Sequence, residues 1–328
     1  MWPAAKLNRF RSDLLAWFDK EKRDLPWRRT NDPYAIWLSE IMLQQTRVAA
    51  AIPYFERFLA RFPNYQALAQ ADEEEVLRHW AGLGYYYRAR NMQKAAQVVC
   101  EMGGFPHDYG TILELPGVGD YTAAAVASIA FDLPHAVVDG NVARVISRLF
   151  ASRAARKHIV ELADKLLDRK HAGNFNQAMM ELGATRCLPK NPQCLLCPVA
   201  KMCKARALGL QNEFPSPKIK ARNVDIERAL FWIERRGRLL AWQRPANARL
   251  MPGFWELPEA EHLPEAVAKM ELGTFRHGIT VHRYRITVWR AAAPRQLGDC
   301  HWLAKRELDQ LPLSTIFRKA VKVVDGRA

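Results

Sequence analysis

Over roughly the first two thirds of this chain apolar residues return every three or four positions, and over the last third they gather in short runs that partly alternate with polar ones. From Leu7 to about Leu210 the spacing predicts successive helices with short breaks, clearest at Glu73 to Trp80, Asn91 to Val99 and Thr122 to Phe131. From Glu213 to Arg222 the periodicity stops, and Pro215, Pro217 and alternating lysines mark a linker, drawn here at residues 213–226. Beyond it, Ala229 to Ile233, Leu239 to Trp242 and Tyr284 to Trp289 predict strands, and Leu263 to Met270 and Ala304 to Leu311 have helical spacing. The expected fold is a mainly α domain over residues 1–212 and a smaller α/β domain over residues 227–328, with no internal repeat.

Composition narrows the partners. The 328 residues, 49% of them hydrophobic, suffice for two cores. Lys and Arg outnumber Asp and Glu by 49 to 34, a net charge of +15, which favours a polyanion such as nucleic acid. A merely solvated basic surface has the same signature, so charge needs motifs beside it. No apolar run approaches the ~20 residues that span a bilayer, and the first ten residues lack a signal-peptide core. The expectation is a cytoplasmic, nucleoid-associated protein of bacterial type. Of six cysteines, four crowd into one segment, which in a reducing compartment means metal rather than disulfides.

Four motifs carry chemistry. Cys187-x6-Cys194-x2-Cys197-x5-Cys203 puts four soft donors in a loop after a helix ending near Glu181 to Gly183. Zinc also accepts four thiolates, but usually from two short-spaced pairs, and only one such pair is present. The expectation is therefore one 4Fe–4S cluster, structural because its ligand set is full, with Lys190, Lys201 and Lys204 as nearby phosphate contacts. Leu115-Pro116-Gly117-Val118-Gly119 lies between two helical segments. It reads either as an ordinary turn or as a hairpin whose backbone N–H groups, at Gly117, Val118 and Gly119, meet a phosphate at a helix start.

The third motif, Trp37 to Thr46, predicts a helix opened by Asp32 and Pro33. Ile36 and Leu43 share the face of Glu40, so its carboxyl is either a desolvated general acid or the edge of an amphipathic helix, and Gln44, Gln45 and Thr46 add a polar patch. The fourth, Val137 to Val142, interrupts an apolar run with Asp139-Gly140-Asn141. Asp139 reads as an N-cap or as a carboxylate for a cationic sugar transition state.

Together these motifs resemble the helix-hairpin-helix DNA glycosylases of the endonuclease III superfamily that carry a four-cysteine cluster, and most closely the MutY adenine glycosylases. The resemblance spans essentially the whole chain and includes Leu25-Pro26-Trp27-Arg28 and Gly82-Leu83-Gly84-Tyr85-Tyr86. It implies a helix-hairpin-helix glycosylase domain, with a six-helix lobe at about 28–133 and a cluster lobe from residues 1–27 plus 134–212. It further implies a monomer acting on double-stranded DNA that carries adenine opposite 8-oxoguanine or guanine. Glu40 would protonate the adenine and then activate water, Asp139 would stabilise or capture the sugar cation, and Tyr121 and Asn141 would support them. Arg28 and Gln177 would line the base pocket, while Gln45, Leu83 and Tyr85 would fill the space of the flipped base.

Two alternatives remain at this point: an endonuclease III-type enzyme acting on oxidised pyrimidines, and a non-catalytic iron–sulfur DNA-binding module. The first type uses a lysine to form a Schiff base, and Tyr121 stands at that position, two residues after Gly119. Ala143 likewise stands where some MutY proteins have lysine. The last third resembles the Nudix-like domain of MutY through Leu239 to Pro245 and Gly253 to Pro258, without the acidic core that would hold Mg²⁺. MutY proteins commonly carry Phe-Ser-His in this domain to contact 8-oxoguanine. Here the matching stretch, Phe275 to Tyr284, lacks it, leaving Thr280 and His282 as the expected readers.

Overall fold

The computed structural model describes residues 2–216, 222–245, 247–248 and 251–326; residues 217–221 of the expected linker lie outside the described residues. The chain divides into two compact units, one joining residues 1–70 and 91–218, the other residues 71–90 and 219–328. Along the chain run helices α1 (Ala4–Glu21), α2 (Pro33–Leu43), α3 (Val48–Arg61), α4 (Tyr65–Ala69), α5 (Glu73–Trp80), α6 (Tyr87–Glu101) and α7 (Tyr109–Glu114). There follow α8 (Asp120–Phe131), α9 (Gly140–Phe150), α10 (Arg156–Leu166), α11 (Ala172–Thr185) and the short α12 (Lys204–Ala207). None among the described residues is long and apolar enough to cross a membrane.

In the first unit the core follows from helical spacing. Phe10, Leu14 and Phe18 recur every fourth residue on α1 and are buried against α9, α10 and α11 through Val145, Leu149, Ile159, Leu166, Phe175 and Met179. Each such side chain contributes about 1.5–3 kcal/mol of burial free energy. α2 differs: every residue from Tyr34 to Met42 is buried, so it is an inner helix without a solvent face. Asp32 caps it by accepting from the amides of Tyr34 and Ala35, and Pro33 fills the first turn, where no amide bond is lost.

The second unit is built on strands β1 (Val224–Trp232), β2 (Glu234–Arg235), β3 (Arg238–Gln243), β4 (Trp255–Glu256), β5 (Ala268–Ile279), β6 (His282–Ala291) and β7 (Cys300–Ala304), followed by helix α13 (Thr315–Val324). One sheet has the order β1-β6-β5, with β1 parallel and β5 antiparallel to β6; in the other β3 pairs with β2, β4 and β7. Leu230, Leu239, Ile286, Val288 and Phe317 meet in the core of this unit. Strand β1 begins at Val224, inside the stretch drawn as linker. Of the two helical expectations one fails here and the other is met in a tighter form. Residues 263–267 form turns and irregular backbone and Ala268 to Met270 open strand β5, because pairing with β6 holds the segment extended; Leu263 is buried while Val267 and Met270 are exposed, so no single apolar face forms. Lys305–Gln310 is a 3-10 helix rather than an α-helix.

Candidate active site

Because α2 is enclosed on all sides, Glu40 near its end is only 5% exposed. Tyr121, from the first turn of α8, donates its hydroxyl to Glu40 Oε2 at 2.7 Å and lies 3.6 Å from Met180 Sδ. Burial pushes the Glu40 carboxyl up. The Tyr121 hydrogen bond and the Arg28 charge oppose that rise, the Asp139 charge adds to it, and the result is about 7. The group can therefore hold or release a proton at neutral pH. Burial, followed by the charge of Glu40, carries the Tyr121 phenol well above its ordinary value, so it remains a donor.

Asp139 arrives on an extended segment anchored from both sides. Asn176 of α11 accepts from the Val137 amide at 3.1 Å and donates to Ser128 Oγ and to the His135 carbonyl, while Arg156 donates to the Val138 carbonyl at 2.9 Å. Asp139 then caps α9: Oδ1 accepts from the Val142 amide at 2.6 Å and Oδ2 from Asn141 Nδ2 at 2.9 Å. The N-cap reading and the cavity-wall position hold together. Asn141 is held in turn by Arg144, which also donates to the carbonyls of Gly183 and Cys187. α11 approaches so closely that a Cβ on Gly183 would fall 2.6 Å from Asn141 Cβ, and one on Gly173 would fall 2.5 Å from the Ser128 carbonyl oxygen.

These elements enclose a cavity of about 430 Å³ that brings together Glu40, Asp139, Tyr121 and Asn141 with Arg28, Gln44, Gln45, Thr46 and Gln177. Gln45 turns the chain out of α2 at φ 60°, and Gln44 donates to Thr122 Oγ1 at 3.3 Å. Glu181, Arg23 and Arg156 also line the cavity, and sequence reasoning missed them along with Asn176 and Arg144. The available signal was a polar side chain at a helical position otherwise occupied by core residues, as with Asn176 between Phe175 and Ala178.

The other expected residues lie elsewhere. Gly117, Val118 and Gly119 form the turn between α7 and α8; Gly117 has φ 77°, and a Cβ there would meet Asn91 Cβ at 2.6 Å, so both conformation and space require glycine. Gly119 caps α8 without a side-chain bond, and the amides of a first helical turn lack intrahelical partners, which suits a phosphate. In the second unit Leu83 is buried, whereas Tyr85 is more than a third exposed at φ 48°. The buried Arg88 guanidinium donates to the carbonyls of Leu83, Gly84 and Tyr85. Thr280 and Val281 are the two-residue turn joining β5 to β6, with Ile279 paired to His282; Thr280 has φ 54° and donates its hydroxyl to the Ile279 carbonyl.

Cys187, Cys194, Cys197 and Cys203 surround a second, small cavity of about 30 Å³ together with Arg148, Arg186 and Arg206. Arg148 Nη1 lies 3.3 Å from Cys187 Sγ, and its other donors hold the Leu188, Pro189 and Phe214 carbonyls. Burial first, then the neighbouring cysteines, pushes the Cys197 thiol up to about 12. Among the described residues no group of three or more His, Cys, Asp or Glu side chains is placed to hold a metal ion. Four thiols lining one cavity are a donor set that fits an iron–sulfur core.

Comparison with known proteins agrees with this geometry. Residues 38–169 match the family of HhH-GPD superfamily base excision DNA repair proteins. The adenine DNA glycosylase of Mus musculus is 49% identical over 218 residues, 61% of this chain and 42% of that protein. That of Buchnera aphidicola subsp. Schizaphis graminum is 34% identical over 260 residues, 74% of each chain. The chain spans less than half the length of the mouse, rat and human relatives it matches. Among solved structures, a thermostable thymine-DNA glycosylase superposes with a TM-score of 0.58 at 32% identity, covering 62% of this chain and 98% of that one. An endonuclease III in covalent complex with DNA shares the fold at a TM-score of 0.55 and 23% identity, over 64% of this chain and all of that one. Since the chain covers 74% of a bacterial adenine DNA glycosylase at 34% identity, it belongs to the adenine DNA glycosylase, or MutY, family.

Proposed function

We propose that this chain excises adenine mispaired with 8-oxoguanine or guanine from duplex DNA by hydrolysing the N-glycosidic bond, leaving an abasic site. The observation that carries the reading is the buried Glu40 carboxyl, held at about 7 and bonded to Tyr121, in one cavity with Asp139. Adenine leaves as a good group only when a ring nitrogen is protonated, and Glu40 delivers that proton at N7. As the bond breaks, positive charge builds on the sugar, where the fixed Asp139 carboxylate stabilises it. Glu40, now ionised, takes a proton from the attacking water.

Arg28 and Gln177 read the base, and Gln45, Leu83 and Tyr85 replace it in the stack. The Gly117 to Gly119 hairpin and the basic cysteine loop hold phosphates. Cys187, Cys194, Cys197 and Cys203 would hold a 4Fe–4S cluster, which supplies cross-linking of that loop and no bond-making. Thr280 and His282 contact the oxidised guanine. Tyr121 stands where the lyase type forms its imine, and among the described residues no lysine lines the cavity, so the strand is left intact.

Single-turnover reactions on duplexes carrying adenine opposite 8-oxoguanine, guanine or thymine, and thymine opposite guanine, test this. The expected product is an abasic strand that breaks only on alkali treatment, formed from the adenine duplexes. Removal of thymine alone, or nicking trapped by borohydride, overturns the reading. Purified protein should also be brown; a colourless, active protein with stoichiometric zinc overturns the iron assignment.

A further inference from the structure

Glu181 of α11 plays no part in the steps above, yet it lines the same cavity with its side chain fully sealed from solvent. Its carboxylate accepts four bonds: from the Arg23 amide at 3.3 Å, Arg23 Nε at 2.7 Å, Arg23 Nη2 at 2.8 Å and Arg28 Nη2 at 2.8 Å. Arg28 is fixed at two further points, by donating Nη1 to the Arg23 carbonyl at 3.1 Å and by lying over the Phe18 ring. A long side chain loses considerable rotamer freedom in such a frame, so its orientation is set before any substrate arrives.

The same contacts decide the local charge. Glu40 is faced by Tyr121 from α8, Asp139 from the cap of α9 and Arg28 from the turn before α2. Arg23, Arg156 of α10 and Glu181 complete the charged lining. Arg28 favours the ionised form of Glu40, and Glu181 lies directly against that guanidinium.

We infer that Glu181 is a positioning residue for the reaction: it aims Arg28 into the cavity and offsets the arginine charge beside Glu40. The inference rests on the reading that Glu40 works as the proton donor. Without the Glu181 charge the Arg28 guanidinium is no longer offset and draws Glu40 further toward ionisation, so the donor is lost at lower pH.

The test is the pH dependence of single-turnover adenine excision. In Glu181→Gln the basic limb should move down by about one pH unit, a roughly tenfold loss on the limb, in addition to any pH-independent fall from the loosened Arg28. In Glu181→Gln/Arg23→Gln one positive charge leaves with the negative one, and the limb should return toward wild type. Arg23→Gln alone should move it upward, which gives an opposite sign that does not depend on Glu181→Gln folding. Thermal unfolding of each variant accompanies the rates. An unmoved limb, or a pH-independent fall that tracks lost stability, reduces Glu181 to a packing role and overturns the inference. A wild-type chain that leaves adenine in place removes both this inference and the function beneath it, whereas a wild type that excises adenine with variant profiles like its own removes this inference alone.

Discussion

Two glutamates line the same cavity, both nearly sealed from water, and they settle on opposite sides of the ordinary carboxylate value. Burial raises both. At Glu40 the Tyr121 phenol bond and the Arg28 charge oppose it, the Asp139 charge adds to it, and the carboxyl rises to about 7. At Glu181 the hydrogen bonds of Arg23 and Arg28, with their charges, outweigh burial and hold the carboxyl low. Desolvation alone therefore does not make an acid; the number of cationic donors does. One wall of the cavity stores a proton, and the other stores fixed charge that keeps a guanidinium in place.

Breaking the first wall should have the largest effect. Glu40→Gln keeps the shape and removes the proton, so excision should fall by about 10²–10⁴-fold while DNA binding survives. Single-turnover rates beside a binding titration check this, and excision within about tenfold of wild type would reject the acid role. The same variant should gain stability. Glu40 ionises at about 7 in the fold against 4.5 ordinarily, so its contribution to stability is intact below the lower value and is lost as pH rises through the higher. Glutamine carries no such penalty, so the variant should match wild type near about pH 4 and exceed it by up to about 3 kcal/mol near about pH 9, as read by chemical denaturation.

Tyr121→Phe sharpens the comparison by removing the phenol bond to Glu40. That donor favours the ionised form, so the basic limb of the pH–rate profile should move upward, with a loss of about tenfold or less at low pH from poorer orientation. A limb that moves downward would contradict the assigned sign. The smallest effect belongs to the exposed β5–β6 turn. Thr280→Val with His282→Ala should slow excision opposite 8-oxoguanine by about fivefold relative to guanine, since a hydroxyl bond contributes only ~1 kcal/mol net. Equal losses on both duplexes would leave the turn without a reading role.

The Glu40 wall was legible because its determinants are local: Asp32, Pro33 and an apolar run around one carboxylate. The Asp139-Gly140-Asn141 break was legible for the same reason, although its cap and its cavity position looked like rivals and coexist. Glu181 and Asn176 were not legible. Each sits on α11, and what distinguishes it from a surface residue is a partner over 35 positions away, Arg23 and Arg28 for one and Val137 and Ser128 for the other. In the second unit Leu263, Ala266, Val267 and Met270 imitated a helix face, and only the pairing of β5 with β6, set by tertiary context, decided otherwise.

The two glycines of α11 have a consequence for what can drift in this molecule. At Gly173 the separation from α8 is gauged by main chain against main chain, and at Gly183 the separation from α9 by main chain against the Cβ and backbone of Asn141, neither of which can change rotamer. A gap set this way has no soft setting between closed and open. Mutational drift can repack the outer faces of the helices, but the spacing between the helix carrying Tyr121 and the one capped by Asp139 is inherited whole, and a single added methyl at either glycine would shift it in one step.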